Sequence, residues 1–265
     1  MRRFLGKHYL LYFYSLLITI LLLVVSNISN FEYRFTRSIA VWDIDKTCTV
    51  GGEAECFIYQ NSSPRVTVML IGDSHMQQYF QEFRKIGREE NINFVYVVNF
   101  SDALIRKIKP AIIIVSNYHA SVVAKELSLF ESKLSHISSQ NISLIYIADN
   151  PVFTDYMKYK HYMNPSMFSQ FIEIVGFNLR PEKVIDINQI NQNSLSASWE
   201  YLKVAEKMAT IVDPFNIFCT TSNCRRFQNG RWLYWDDHHL SVDGARLIAV
   251  NIRSQLLGLI ENLYN

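Results

Sequence analysis

Four stretches of this chain are almost wholly apolar and rich in β-branched residues: Val66 to Ile71, Phe94 to Val98, Ala111 to Val115 and Leu144 to Ala148. A strand with one wet face alternates apolar and polar side chains, whereas a strand covered on both faces does not. Continuous runs therefore predict buried parallel strands, and the helix-length segments between them supply the cover. A fifth strand is expected near Ala209 to Val212, and Ser241 to Leu263 reads as a long amphipathic closing helix. The expected fold class is α/β, a three-layer sandwich around a five-stranded parallel sheet. Ligands in such folds sit beyond the carboxyl ends of the strands. Nine glycines and six prolines in 265 residues are too few for an all-β protein built on many tight turns.

Charge excludes one class of partner. With 26 basic and 24 acidic residues, a net +2 and no basic block beyond the first residues, nothing attracts a phosphate backbone, so no nucleic acid is expected. The first residues are different. Arg2, Arg3 and Lys7 precede Tyr9 to Val25, an uncharged run interrupted only by Ser15 and Thr19 among its polar positions. As a helix it would be about 25 Å long, near the lower limit for crossing a hydrocarbon core. A cleaved signal peptide is the competing reading, but the run exceeds the usual signal core, so an uncleaved anchor is preferred. The cations lie before the run, so the positive-inside rule puts the amino terminus in the cytoplasm and everything after the run in the periplasm or outside the cell. Three regions follow: 1–27 as a membrane anchor, 28–65 as a tether and irregular lead-in, and 66–265 as the functional domain. Four cysteines fall in two local pairs. In an oxidising compartment they are expected to form the disulfides Cys48–Cys56 and Cys219–Cys224. Their spacings lack the paired knuckles of a zinc site, and no metal or cofactor is expected.

Chemistry concentrates at two places. Gly72-Asp73-Ser74-His75 follows the first buried strand, where sheet geometry exposes a side chain to a crevice. Gly72 permits a sharp turn, and the backbone amide of Ser74 is positioned to stabilise negative charge. A serine nucleophile needs a base, and the base needs an orienting group. Trp235-Asp236-Asp237-His238-His239-Leu240-Ser241 supplies both, because three-residue spacing lets one short loop hold Asp236 against His239. The simpler readings are a helix-capping turn and a solvated acidic loop, with an Asp/His metal cluster as chemical rival. Trp232, Tyr234 and Trp235 crowd the approach, either as sugar-stacking faces or as core.

Gly72-Asp73-Ser74-His75 resembles the first block of SGNH/GDSL hydrolases, and Asp236-x-x-His239 resembles their last. The likeness is closer to the SGNH domains attached to acyltransferase-family-three membrane proteins, which O-acetylate bacterial surface polysaccharides. It extends to a cysteine pair before the last block and to Leu233-Tyr234-x-Asp236-x-x-His239-Leu240-Ser241-x-x-Gly244-Ala245. The resemblance implies a flavodoxin-like SGNH fold and a Ser74, His239, Asp236 triad. The chain departs from the superfamily where oxyanion donors usually lie, with Asn99-Phe100-Ser101 after the second strand and Ser116-Asn117-Tyr118 after the third. Ser74 and Asn117 are the candidate oxyanion-hole donors. Asp73, His75, Asp237 and His238 are read as structural or substrate-facing.

The resulting expectation is serine-dependent acyl transfer onto a cell-envelope polysaccharide or lipid-linked glycan, foremost O-acetylation through an acyl-enzyme. An O-acetyl esterase with the same triad and a non-catalytic carbohydrate-binding module are the alternatives. The transferase reading calls for a polytopic membrane acyltransferase as partner, because one helix gives an acyl group no route across a bilayer.

Overall fold

Every second residue of a strand faces the same side, so a strand buried on both sides must supply two cores. A computed structural model shows both. It describes residues 17, 20, 56–98, 101–154, 183–229 and 231–264. Apart from Leu17 and Ile20 these belong to a single unit made of Val41–Met157 and Glu182–Asn265.

The central sheet contains β1 (Cys56–Tyr59), β2 (Val66–Gly72), β3 (Ile92–Val97), β4 (Ile112–Ser116), β5 (Ser143–Ile147) and β7 (Thr210–Val212), in the order β1-β3-β2-β4-β5-β7. β2, β3, β4, β5 and β7 are parallel, and β1 is antiparallel to β3. Taken in chain order, the parallel strands run 2-1-3-4-5, the flavodoxin-like order whose switch point falls between β2 and β4. The five expected strands are therefore present. The sheet has a sixth, because Cys56–Tyr59 lies within the segment read as an irregular lead-in. β6 (Val184–Asp186) pairs with β8 (Asn223–Arg225), and β9 (Phe227–Gln228) pairs with β10 (Arg231–Trp232), as two small antiparallel ribbons outside the sheet.

The helices are α1 (Ser74–Gln77), α2 (Phe80–Glu90), α3 (Asp102–Ile108), α4 (Ala124–Ser138), α5 (Gln192–Ala205), α6 (Pro214–Phe218) and α7 (Val242–Tyr264). Val68, Leu70, Ile112, Ile114, Ile145 and Ile147 face one core with Phe83 and Ile86 of α2 and Ile248, Ile252 and Leu256 of α7. Their neighbours Met69, Ile71, Ile113, Val115, Leu144 and Tyr146 face the other, with Phe130 and Leu134 of α4 and Tyr201 and Val204 of α5. Helices thus cover both faces of the sheet. Among the described residues no helix is long and apolar enough to cross a membrane; the expected anchor at Tyr9 to Val25 lies almost wholly outside them. Cys219 and Cys224 are disulfide-bonded. Cys56 is also disulfide-bonded, while Cys48 lies outside the described residues.

Candidate active site

β2 delivers its last residue against β4. A Cβ on Gly72 would stand 1.8 Å from the Ser116 carbonyl oxygen, so only glycine lets the chain turn there. The turn that follows is held by Asp73, whose Oδ1 accepts from the His75 amide at 2.8 Å and whose Oδ2 accepts from the Tyr118 amide at 2.8 Å. One carboxylate thereby fastens the loop after β2 to the loop after β4. Ser74 is the first residue of α1, a position whose amide has no partner within its own helix.

The second half of the site is the loop before α7. Asp236 Oδ1 accepts from the amides of His238 at 3.0 Å and His239 at 2.6 Å, folding the loop about its own side chain. Its Oδ2 lies 2.7 Å from His239 Nδ1, and His239 Nε2 lies 2.9 Å from Ser74 Oγ. A carboxylate only accepts, so Nδ1 carries the proton and Nε2 is left to accept from the serine hydroxyl. Ser241 completes the loop by donating from Oγ to the Trp232 carbonyl and accepting from the Gly244 amide at the start of α7.

Asp236 is held below the usual carboxylate range. Burial alone would raise it, but hydrogen bonds from the His239 ring and the two amides, together with the nearby His239 charge, more than offset that. His238 is shifted above the ordinary histidine value. Burial opposes its charge, and the hydrogen bond to Asp237, 2.8 Å from Nδ1, with the negative charges of Asp236, Asp237 and Asp149, outweighs it.

The structure brings Ser74, Asp236 and His239 together. Asn117 precedes Tyr118, whose amide Asp73 holds, and stands in the wall of a cleft of about 340 Å³ that also includes Asp73 and Tyr118. Asn99 and Phe100 lie outside the described residues. Tyr234 is 1% exposed and packs edge-on against Phe153, so it belongs to the core and offers no face to a sugar. Trp232 packs edge-on against Phe227.

Three polar residues that support the site escaped the sequence reading. Gln78 Oε1 accepts from the Leu240 amide at 2.8 Å and from Asn150 Nδ2 at 3.3 Å, and Asn150 Nδ2 also donates to the His238 carbonyl. Asp149 Oδ2 accepts from the His119 amide, and its Oδ1 stands 3.1 Å from His75 Nδ1, close enough for charge pairing but off the line of a hydrogen bond. Asp149-Asn150 follows β5 as Asp73-Ser74 follows β2. That shared position beyond a buried strand was the available signal.

Two overlapping sets, His75 with His238 and His239 and Asp236 with Asp237 and His238, have donor atoms within 4.8 Å of one another, the spacing a metal ion requires. The geometry fits an ion poorly. The rings of His75 and His238 are within 17° of parallel, so their in-plane lone pairs do not converge, and both His239 nitrogens are already engaged.

No curated protein matches the chain. Among solved structures, the periplasmic domain of a lipopolysaccharide acetyltransferase from Salmonella ser. Paratyphi A superposes with a TM-score of 0.53 at 15% identity, covering 74% of this chain and 85% of that one. A GDSL-like lipase from Bacteroides thetaiotaomicron VPI-5482 gives 0.42 at 9% identity, covering 75% and 89%. At 15% identity the likeness to the acetyltransferase domain is one of fold. The family model described as the SGNH domain fused to AT3 domains matches residues 34–253, most of the chain. The chain belongs to that family, and with it to the SGNH/GDSL superfamily of acyl-transfer and ester-hydrolysing proteins.

Proposed function

We propose that this chain is a serine-dependent O-acyltransferase of the cell envelope, with Ser74, His239 and Asp236 as its catalytic triad. One observation carries the reading: Ser74 Oγ, His239 and Asp236 form a continuous line of contacts of 2.9 and 2.7 Å. In the proposed cycle Ser74 Oγ attacks the carbonyl carbon of an acyl ester as His239 Nε2 takes its proton. Asp236 stabilises the resulting imidazolium. The Ser74 amide, joined by Asn117, donates to the oxyanion. His239 then gives its proton to the departing oxygen, leaving an acyl-serine. A sugar hydroxyl attacks that ester, its proton passes to His239, and Ser74 Oγ recovers it.

The glycan acceptor and the acetyl group are supported by membership of a family fused to AT3 domains and by the lipopolysaccharide acetyltransferase domain of similar fold. The proposal includes a periplasmic domain, in keeping with that acetyltransferase domain, and a polytopic membrane acyltransferase supplying acyl groups, in keeping with the AT3 fusion; residues 1–27 as the anchor and 66–265 as the SGNH domain are carried over from the sequence reading. Water in place of the sugar would make the enzyme an esterase. A binding module without catalysis would have no use for the aligned serine and imidazole.

The test is O-acetyl analysis of surface polysaccharide from a strain lacking the gene, restored with the wild type or with Ser74→Ala. Restoration by the wild type alone is expected. Unchanged acetylation throughout would remove the transferase reading, and raised acetylation in the deletion and the Ser74→Ala strain would establish the esterase instead.

A further inference from the structure

The loop before α7 carries two imidazole–carboxylate pairs, and the proposed triad uses one. His238 lies beside His239, ring centroids 4.0 Å apart, with its Nδ1 fixed by Asp237. Its ring is stacked on Tyr118 at 4.8 Å and 27°, and on His75 at 5.4 Å and 17°. A histidine that only fills space does not need a carboxylate on one nitrogen and a ring against its face. Both contacts fix where the other nitrogen points, and Nε2 makes no hydrogen bond within the described residues while the side chain remains 24% exposed.

The cleft supplies the rest. Tyr118, against which His238 stacks, also lines the cleft of about 340 Å³ beyond the carboxyl ends of β2 and β4. Asp73, adjacent to the nucleophile, lines it too. Its walls mix Asn117, Glu126 and Lys133 with Val98, Leu129 and Phe130, and Val98 and Leu129 are 38% and 54% exposed at its rim. That size is at the small end of ligand pockets. Hydrogen-bonding groups interleaved with apolar faces suit a sugar ring, which presents hydroxyls at its edge and C–H groups on its faces.

We infer that His238 and the cleft behind Tyr118 form the subsite for the acyl acceptor, a carbohydrate hydroxyl that His238 Nε2 binds and aims at the acyl-serine. The inference rests on the acyl-transfer reading above. In the step it serves, the acceptor oxygen bonds to the acyl carbon, the bond from that carbon to Ser74 Oγ breaks, and the acceptor proton reaches Ser74 Oγ through His239. His238 gains and loses no proton; it binds the acceptor and orients it.

The full chain is tested with p-nitrophenyl acetate as donor and glycerol or methyl α-D-glucopyranoside as acceptor. The burst of nitrophenol reads acylation, and the ratio of acetylated acceptor to free acetate reads how the acyl-enzyme is resolved. His238→Ala is expected to lower that ratio about tenfold, the loss of one hydrogen bond to a desolvated group, and to leave the burst rate nearly unchanged. His238→Gln, which keeps a nitrogen near the place of Nε2, is expected to recover most of it. Leu129→Trp, which narrows the cleft mouth at an exposed position, should raise the half-saturating concentration of the glucoside and spare that of glycerol. An unchanged ratio in His238→Ala overturns the inference. So does an equal fall in burst and ratio, which would make His238 a support for His239, or an intact wild-type burst with transfer to neither probe. A Leu129→Trp burst that changes between acetyl and octanoyl donors would assign the cleft to the acyl group and likewise overturn it. A wild type that releases nitrophenol no faster than buffer, with or without acceptor, would defeat the acyl-transfer reading itself.

Discussion

Asp236 and His239 meet where water still reaches, their side chains 15% and 12% exposed, while Asp149 and His75 meet in the interior at 2% and 1%. Both are carboxylate–imidazole pairs, and the residues His75 and Ser74 are neighbours in sequence. In the proposed mechanism the first pair gains and releases a proton in each cycle, and its contact with water helps to solvate the change of charge. Asp149 instead joins the loop after β5 to the His119 amide after β4 and to α1 through His75, which makes it a structural junction. Under the proposed function, the same two functional groups serve chemistry where water reaches them and architecture where it does not.

The largest effect should come from the exposed pair. His239→Ala or Ser74→Ala is expected to lower turnover of p-nitrophenyl acetate by about 10⁴-fold or more, with the melting temperature almost unchanged. Comparable turnover would show that the contacts of 2.9 and 2.7 Å do no chemistry. The buried pair should behave in the opposite sense. Asp149→Ala strands the His119 amide and the His75 ring in the interior and is expected to cost about 3 kcal/mol in urea unfolding. Asp236→Ala should cost clearly less. Equal losses would erase the contrast between the two pairs.

The third effect lies outside both pairs but bears on the loop that holds one of them. Replacing Cys219 and Cys224 together by alanine opens a very short ring and is expected to cost about 2 kcal/mol in the same measurement. The smallest effects are in the pH dependence of stability. Asp236 is depressed in the folded protein, so its contribution is complete above the unfolded value of about 3.9 and disappears as pH falls through the folded one. His238 is raised, so its contribution is complete below about 6.5 and disappears as pH rises through its folded value. Melting temperatures across this range should therefore show Asp236→Asn closing on the wild type in acid and His238→Gln closing on it in alkali. A constant offset in either variant would deny the corresponding shift.

Much of this was legible in the chain, for an identifiable reason. Ser74, Asp236 and His239 each sit in a short motif whose meaning is local, a turn after a buried strand and a loop folded about its own aspartate. The five parallel strands were legible because burial on both faces writes itself into consecutive residues. β1 was not, because an antiparallel edge strand of four residues is defined by its partner β3 and leaves no period of its own. Gln78, Asp149 and Asn150 were missed for the same cause. Gln78 makes its contacts across 72 to 162 positions of sequence and no local pattern marks it, while for Asp149 and Asn150 the place just beyond β5 was the one local sign.

Gln78 Oε1 receives both the Leu240 amide and the Asn150 side chain, so one oxygen atom ties α1 to the loop after β5 and to the loop before α7. Ser74 and the imidazole it faces are 165 positions apart, and this knot is where the distance is closed. In the order of synthesis, every strand of the central sheet is made before the loop bearing His239. A nascent chain can therefore complete its sheet, seat Gly72 against Ser116 and place Ser74 at the start of α1 before the imidazole it faces has been made. With the proposed triad, reactivity arrives last, with the segment that ties the knot.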